Sequence, residues 1–437
     1  MVTHMQAASA HPGLVRVHNL AVAAAIAIAA FNGSAGAAPT TCSRYATSWV
    51  TSNSTVKGAA GVSYVDSAGT IYQDLGRGEL AESSDFGASW TTHALPVTTA
   101  VVSQIVGDSA ANVYLVAQDY DAAIVYVLKA RAGGTITIVD EVHDAVVANN
   151  SGGPTSGRAS GAHVDATGHV YVALFENLAQ NAIVTGNLAV RASSPGGASW
   201  TNTILDAGVA TDFVYPGGLL DADAEGNLFA ISSTGRSYAH ANGVWSLAQT
   251  LPGMPWIDGP DGVGGVYVTL VSFTDGSSSL WHRTATSTFS QAIGFPVQGP
   301  PTIDSTGRYY EVEPIQVSGY ENHMVVHRSA DRGKTWSVVQ TTASGEFVLA
   351  VYADGSDNLF ETAFLGSSIG APLAGAQNWL TRMNFAKSDE LPYEYGIGDH
   401  MFQDTRGNLY AVGFTYNGGL SGVPDQMIIR KLACLAR

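Results

Sequence analysis

From Gly61 onward the chain is a succession of short runs in which apolar and polar residues alternate, each bounded by Gly, Asp, Asn or Ser. GVSYVD, a three-residue break and TIYQDL set the pattern, with side chains of one polarity falling on one face of an extended strand. The break recurs as Asp-x-x-Gly-x-x-Tyr/Phe. It reads DSAGTIY from Asp66, DSAANVY from Asp108, DATGHVY from Asp165 and DAEGNLF from Asp223. It continues as DGVGGVY from Asp261, DSTGRYY from Asp304, DGSDNLF from Asp354 and DTRGNLY from Asp404, at a mean period of about 48 residues. Ala111 and Asp357 replace the Gly in two copies. An Asp that hydrogen-bonds its own downstream backbone, followed by a residue at positive φ, makes a tight hairpin turn. Each period therefore starts with a β-hairpin and has room for four strands, the size of a propeller blade. The pattern predicts an all-β, single-domain β-propeller of eight four-stranded blades, or seven if one degenerate repeat is an insertion.

A second motif falls later in some repeats. Ser83-Ser-Asp85-Phe-Gly87-Ala-Ser-Trp90 and Ser329-Ala-Asp331-Arg-Gly333-Lys-Thr-Trp336 share Ser-x-Asp-x-Gly-x-x-Trp, and SSPGGASW from Ser193 to Trp200 is a degenerate copy with Pro195 in place of Asp. These segments resemble the Asp-box of BNR-repeat propellers of the sialidase-like superfamily. The resemblance implies that Ser83, Asp85, Gly87 and Trp90, with Ser329, Asp331, Gly333 and Trp336, are structural turn residues lying away from any active site. The Arg-Ile-Pro tripeptide of sialidases is absent, so the resemblance extends to the fold and stops short of sialidase activity.

The two ends complement one another. Trp49-Val-Thr-Ser-Asn reads as a fourth strand without a blade, and Gln426 to Cys434 as a third strand without a fourth. The N-terminal strand then completes the last blade, which brings Cys42 and Cys434 together as a disulfide.

Residues 1–37 read as a secretory signal peptide: one charged residue, Arg16, the apolar run Leu20 to Phe31, and Ala35-Gly36-Ala37 as a cleavage site. The run is too short to span a bilayer. Residues 38–437 are then the propeller, secreted or periplasmic, and expected to act as a monomer.

Composition narrows the function. Twenty Lys and Arg against 36 Asp and Glu, a net charge of −16, exclude a nucleic-acid partner. Two cysteines and no Asp-x-Asp-x-Asp-Gly loop argue against zinc and calcium sites, and neither a nucleotide motif nor a Gly-x-Ser-x-Gly elbow occurs, so no metal or cofactor is expected. Strand order puts the hairpin turns and boxes on one face of the ring, so function belongs to the irregular loops of the other. Those loops gather acids and aromatics, which suit a sugar site: rings stack on pyranose faces, and paired carboxylates act as acid and base or acid and nucleophile. The candidates are Glu311 and Glu313 in EVEP and Tyr393-Glu394 in LPYEY. Arg158, His163 and Tyr215 would serve a polysaccharide lyase instead. The expected partner is a carbohydrate or cell-surface glycan, with a non-catalytic protein-interaction scaffold as the alternative.

Overall fold

A computed structural model describes residues 41–55, 61–76, 78–131, 133–148, 161–180, 184–210, 218–223, 225–260, 265–275, 277–284, 288–293, 302–304, 306–318, 321–342, 346–365, 377–384, 386–393, 396–415 and 427–436. Residues 1–37, read from the sequence as a signal peptide, lie outside this range. The described chain is almost wholly β, with a single 3-10 turn at Pro195–Gly197. No helix in it is long and apolar enough to cross a membrane.

The strands form antiparallel sheets that follow one another around a ring, as the repeat predicts. Seven are four-stranded blades. The sheet of the Asp165 repeat has five strands, because Val146–Val147 and Ala162–Val164 both pair with the long strand Val170–Gln180. The seven four-stranded blades match the alternative count drawn from the sequence, and the five-stranded sheet stands where an eighth four-stranded blade was expected. We number the sheets one to eight by their hairpins.

The repeated Asp works as its chemistry requires. In sheet eight, Asp404 Oδ1 accepts hydrogen bonds from the amides of Arg406 and Asn408, both at 2.9 Å, while Gly407 N donates to Asp404 O at 2.9 Å. The same backbone closure recurs at each hairpin Asp in the described residues. Ala111 and Asp357, which replace the Gly, still adopt φ of 57° and 64°, so the turn dictates the backbone and the residue bears the strain. The aromatic six residues on is buried in every copy, from Tyr72 and Tyr114 to Phe360 and Tyr410. Burying each ring contributes about 1.5–3 kcal/mol.

Successive sheets pack face to face through apolar clusters. Tyr72 and Leu80 of sheet one meet Val102, Leu115 and Leu128 of sheet two. At the closure, Ile71 and Leu75 of sheet one pack with Tyr410, Val412 and Met427 of sheet eight. The N-terminal strand Val50–Thr55 pairs with Met427–Leu432 as the fourth strand of that last sheet. Cys42 and Cys434 are bonded, their Cα atoms 5.8 Å apart.

Candidate functional site

The two Ser-x-Asp-x-Gly-x-x-Trp segments form matching turns. Ser83 Oγ accepts Gly87 N at 2.8 Å, and Asp85 Oδ1 accepts Ala88 N and Ser89 N at 3.0 and 2.8 Å. Ser329 Oγ accepts Gly333 N at 2.8 Å, and Asp331 Oδ1 accepts Thr335 N at 2.8 Å. Trp90 Nε1 donates to Ser52 Oγ of the N-terminal strand at 3.1 Å, and Trp336 packs where sheets five and six meet. The Pro195 copy departs from this form. Its Ser193 Oγ accepts Val170 N instead, and the turn winds into the 3-10 segment.

Carboxylates spent in these turns and in the hairpins are structural. Two carboxylates outside these turns, Glu311 and Glu313, lie at the seam between sheets five and six. Its apolar cluster holds three buried residues, Tyr267, Leu280 and Tyr309, the smallest of the inter-sheet clusters among the described residues. Strand alternation then aims a polar set into the same seam. From Tyr309–Ser318 come Glu311 and Glu313, which share a face with Tyr309, and His327 lies directly across from Glu311 on Glu321–Ser329. From sheet five come Thr269 and His282, on the face of Tyr267 and Leu280.

Glu311 is 3% exposed. Glu313 Oε2 lies 2.7 Å from His327 Nε2, and both side chains keep partial solvent access. Two residues along a strand separate these carboxyl-bearing positions by about 6.7 Å between Cα atoms. Opposite them, Thr269 Oγ1 is buried and has no hydrogen-bond partner among the described residues. An unpaired buried hydroxyl costs about 1–3 kcal/mol, a cost that a bound polar group would remove. His282 stacks on Tyr267 with ring centroids 4.6 Å apart.

The other candidates lie elsewhere. His163 stands on the inner strand of sheet three with Nδ1 3.7 Å from Asp221 Oδ1 on the inner strand of sheet four. Arg158, Tyr215 and Glu394 fall outside the described residues. Tyr393 ends the strand Ala386–Tyr393, but its side chain is outside them too. No group of three metal-ligating side chains occurs among the described residues.

Asp74 and Glu361 are among the buried acids that escaped the sequence reading. Asp74, within the strand Ile71–Gly76, is 1% exposed; Oδ1 accepts Gly76 N at 3.1 Å, and Oδ2 has no partner among the described residues. Burial pushes its carboxyl up to about 7. Glu361 in sheet seven is fully buried and is likewise pushed up to about 7 by desolvation. Asp119, by contrast, is held below the ordinary carboxylate range, first by the Thr99 hydroxyl and then by the Ala122 amide.

No family model matches the chain, and no curated protein matches it. Among solved structures, a GH74 enzyme from Niastella koreensis is similar at 14% identity and a TM-score of 0.49 over 86% of this chain. The chain spans 60% of that enzyme's length. A streptogramin B lyase is similar at 10% identity and a TM-score of 0.46, covering 77% of this chain and 97% of its own. YCF48 from Cyanidioschyzon merolae is similar at 13% identity and a TM-score of 0.41, over 72% of this chain and 96% of its own. At these identities and scores the likenesses assign no activity to this chain.

Proposed function

We propose that this is an exported, carbohydrate-active propeller that cleaves a glycosidic bond in an extracellular polysaccharide or glycoconjugate, with Glu311 and Glu313 as the reacting carboxyl groups. One observation carries the reading. Two carboxyl groups share one face of one strand in a polar seam, one buried and the other hydrogen-bonded to a histidine. Glycoside hydrolysis uses two carboxyl groups in unlike environments, about 5–9.5 Å apart. In this reading Glu311 donates the proton to the leaving oxygen. Glu313, oriented by His327, acts as base or nucleophile. The disulfide suits an oxidising, extracytoplasmic compartment, and the acidic composition favours a neutral or cationic glycan over a polyanionic one.

A protein-interaction scaffold has its own support: the outer strand Val244–Thr250 exposes Val244 at 65% and Leu247 at 49%. A glycan panel separates the readings. New reducing ends without the ultraviolet absorbance of unsaturated sugars support the hydrolase, whereas both signals together transfer the argument to His163 and a lyase. Silence across neutral, acidic and amino glycans favours the scaffold.

A further inference from the structure

Nine large apolar side chains are exposed among the described residues. Six lie on outer strands and Leu435 on the C-terminal strand; Phe273 and Ile315, at 57% and 39% exposure, stand elsewhere. Both belong to the seam that holds Glu311 and Glu313. The strands Val266–Ser272 and Tyr309–Ser318 are each second in their sheets, so they run the same way from their hairpins. Near the hairpin end the rings of Tyr267 and Tyr309 meet edge to face, with centroids 5.7 Å apart. Counting by twos from that pair, Thr269 comes level with Glu311 and Val271 with Glu313. The next level pairs Ile315 with Phe273, the first residue past its strand. This apolar pair stands at the end of the seam away from the hairpins, one step of about 6.7 Å beyond Glu313.

The Phe273 ring is presented on a fixed turn. Ser272 N donates to Ser277 O at 2.8 Å, Thr274 N to Ser272 Oγ at 3.2 Å, and Ser277 N and Oγ to Asp275 Oδ1 at 3.0 and 2.8 Å. Directly across from Ile315, on Glu321–Ser329, His323 Nδ1 donates to Thr342 O at 2.9 Å. A carbonyl oxygen only accepts, so the proton sits on Nδ1, and Nε2 of the neutral imidazole is an acceptor.

We propose that Phe273 and Ile315 form a platform for one sugar ring of a neutral polysaccharide, next along the chain from the bond cleaved at Glu311 and Glu313, with His323 Nε2 accepting a hydroxyl of that sugar. The proposal rests on the seam being the site of cleavage. It narrows the substrate class to a chain that continues past the two sugars joined by the scissile bond. The apolar face of a pyranose covers an aromatic ring, and the contact removes from water an apolar surface that is now exposed. Because the turn is already ordered, little conformational entropy is lost on binding.

The test is affinity electrophoresis of the full chain in native gels containing hydroxyethyl cellulose, galactomannan or laminarin, beside a reducing-end assay on the same polymers. Retardation reads binding whether or not the polymer is cut. Wild type, Phe273→Ala, Phe273→Tyr and Glu311→Gln are compared. Phe273 is exposed in a turn, so its substitution leaves folding intact. At least one polymer should retard wild type and Glu311→Gln. Affinity should fall roughly tenfold in Phe273→Ala and return in Phe273→Tyr, with KM raised and kcat held in Phe273→Ala. Retardation that depends on Phe273 without new reducing ends would keep the platform and sink the hydrolase. Turnover lost in Glu311→Gln, with affinity and KM unchanged in Phe273→Ala, would overturn the platform and keep the hydrolase. No retardation of wild type by any of the three polymers would also overturn the platform.

Discussion

Cys42 and Cys434 stand 392 residues apart in sequence and are joined by a disulfide that ties the N-terminal segment to the end of the chain. The link holds the two ends of the ring together where Val50–Thr55 completes the last sheet. Cross-linking so long a loop restricts the unfolded chain and stabilises by about 2–4 kcal/mol. Cys42→Ser should therefore lower the melting temperature in oxidising buffer and make it insensitive to dithiothreitol. Equal melting of wild type and variant in oxidising buffer would remove the disulfide from the account of closure.

Gly87 is the tightest point of the first box. Its φ is 74°, and a Cβ there would meet Ser52 Oγ at 2.7 Å and the Tyr410 ring at 2.9 Å. Gly307 has φ of 80° but open space around it. Both Ala substitutions carry the left-handed penalty of about 1–2 kcal/mol. Gly87→Ala should destabilise further, because it displaces groups from the sheet that closes the ring. Urea denaturation of the pair checks this, and equal losses would mean that the closure yields at no cost.

Asp74 and Glu361 give stability a pH dependence of unusual sign. Each carboxyl is raised by burial to about 7, above its unfolded value of about 4. Between those limits the native state holds more protons than the unfolded chain, so these groups make stability fall as pH rises. Asp85 and Asp331 act oppositely: lowered to about 2, first by the Ser89 and Thr335 hydroxyls, they lend stability that is lost as pH drops below about 4. Asp74→Asn should accordingly raise the melting temperature more at pH 8 than at pH 5. A shift of the same size at both would contradict the raised carboxyl.

The legibility of the sequence follows interaction range. The hairpins could be read because the Asp, the positive-φ residue and the aromatic lie within seven residues and satisfy one another there. Ring closure could be read because each end lacked the strand that the other supplied. The polar seam could be read only by half. Glu311 and Glu313 stood out as acids expected in an irregular loop, whereas they stand within the strand Tyr309–Ser318, and Thr269, His282 and His327 gain meaning only from register and from the packing of neighbouring sheets. Asp221 escaped as the partner of His163 for the same reason: 58 positions separate them in sequence, and only the packing of adjacent inner strands brings them together. The five-stranded sheet escaped because Val146–Val147, a two-residue pairing ahead of its own hairpin, leaves no periodic trace.

Thr269 tests whether the seam receives a ligand. Thr269→Val removes a buried hydroxyl that has no partner among the described residues while keeping its shape. Folding stability should be unchanged or higher, by up to about 1 kcal/mol. If the seam holds substrate, glycan turnover should fall in the same variant. Clear destabilisation would mean that the hydroxyl is already satisfied in the folded protein.

The central claim is that Glu311 and Glu313 do the chemistry, and it is tested most directly by turnover. Wild type, Glu311→Gln, Glu313→Gln and His327→Gln should be assayed on the most active substrate of the glycan panel, with circular dichroism confirming each fold. Loss of either carboxylate is expected to lower kcat by about 100-fold or more, and loss of His327 by less, with a changed pH profile. Wild-type activity that persists in folded Glu311→Gln and Glu313→Gln would contradict the claim and place the chemistry elsewhere on the ring.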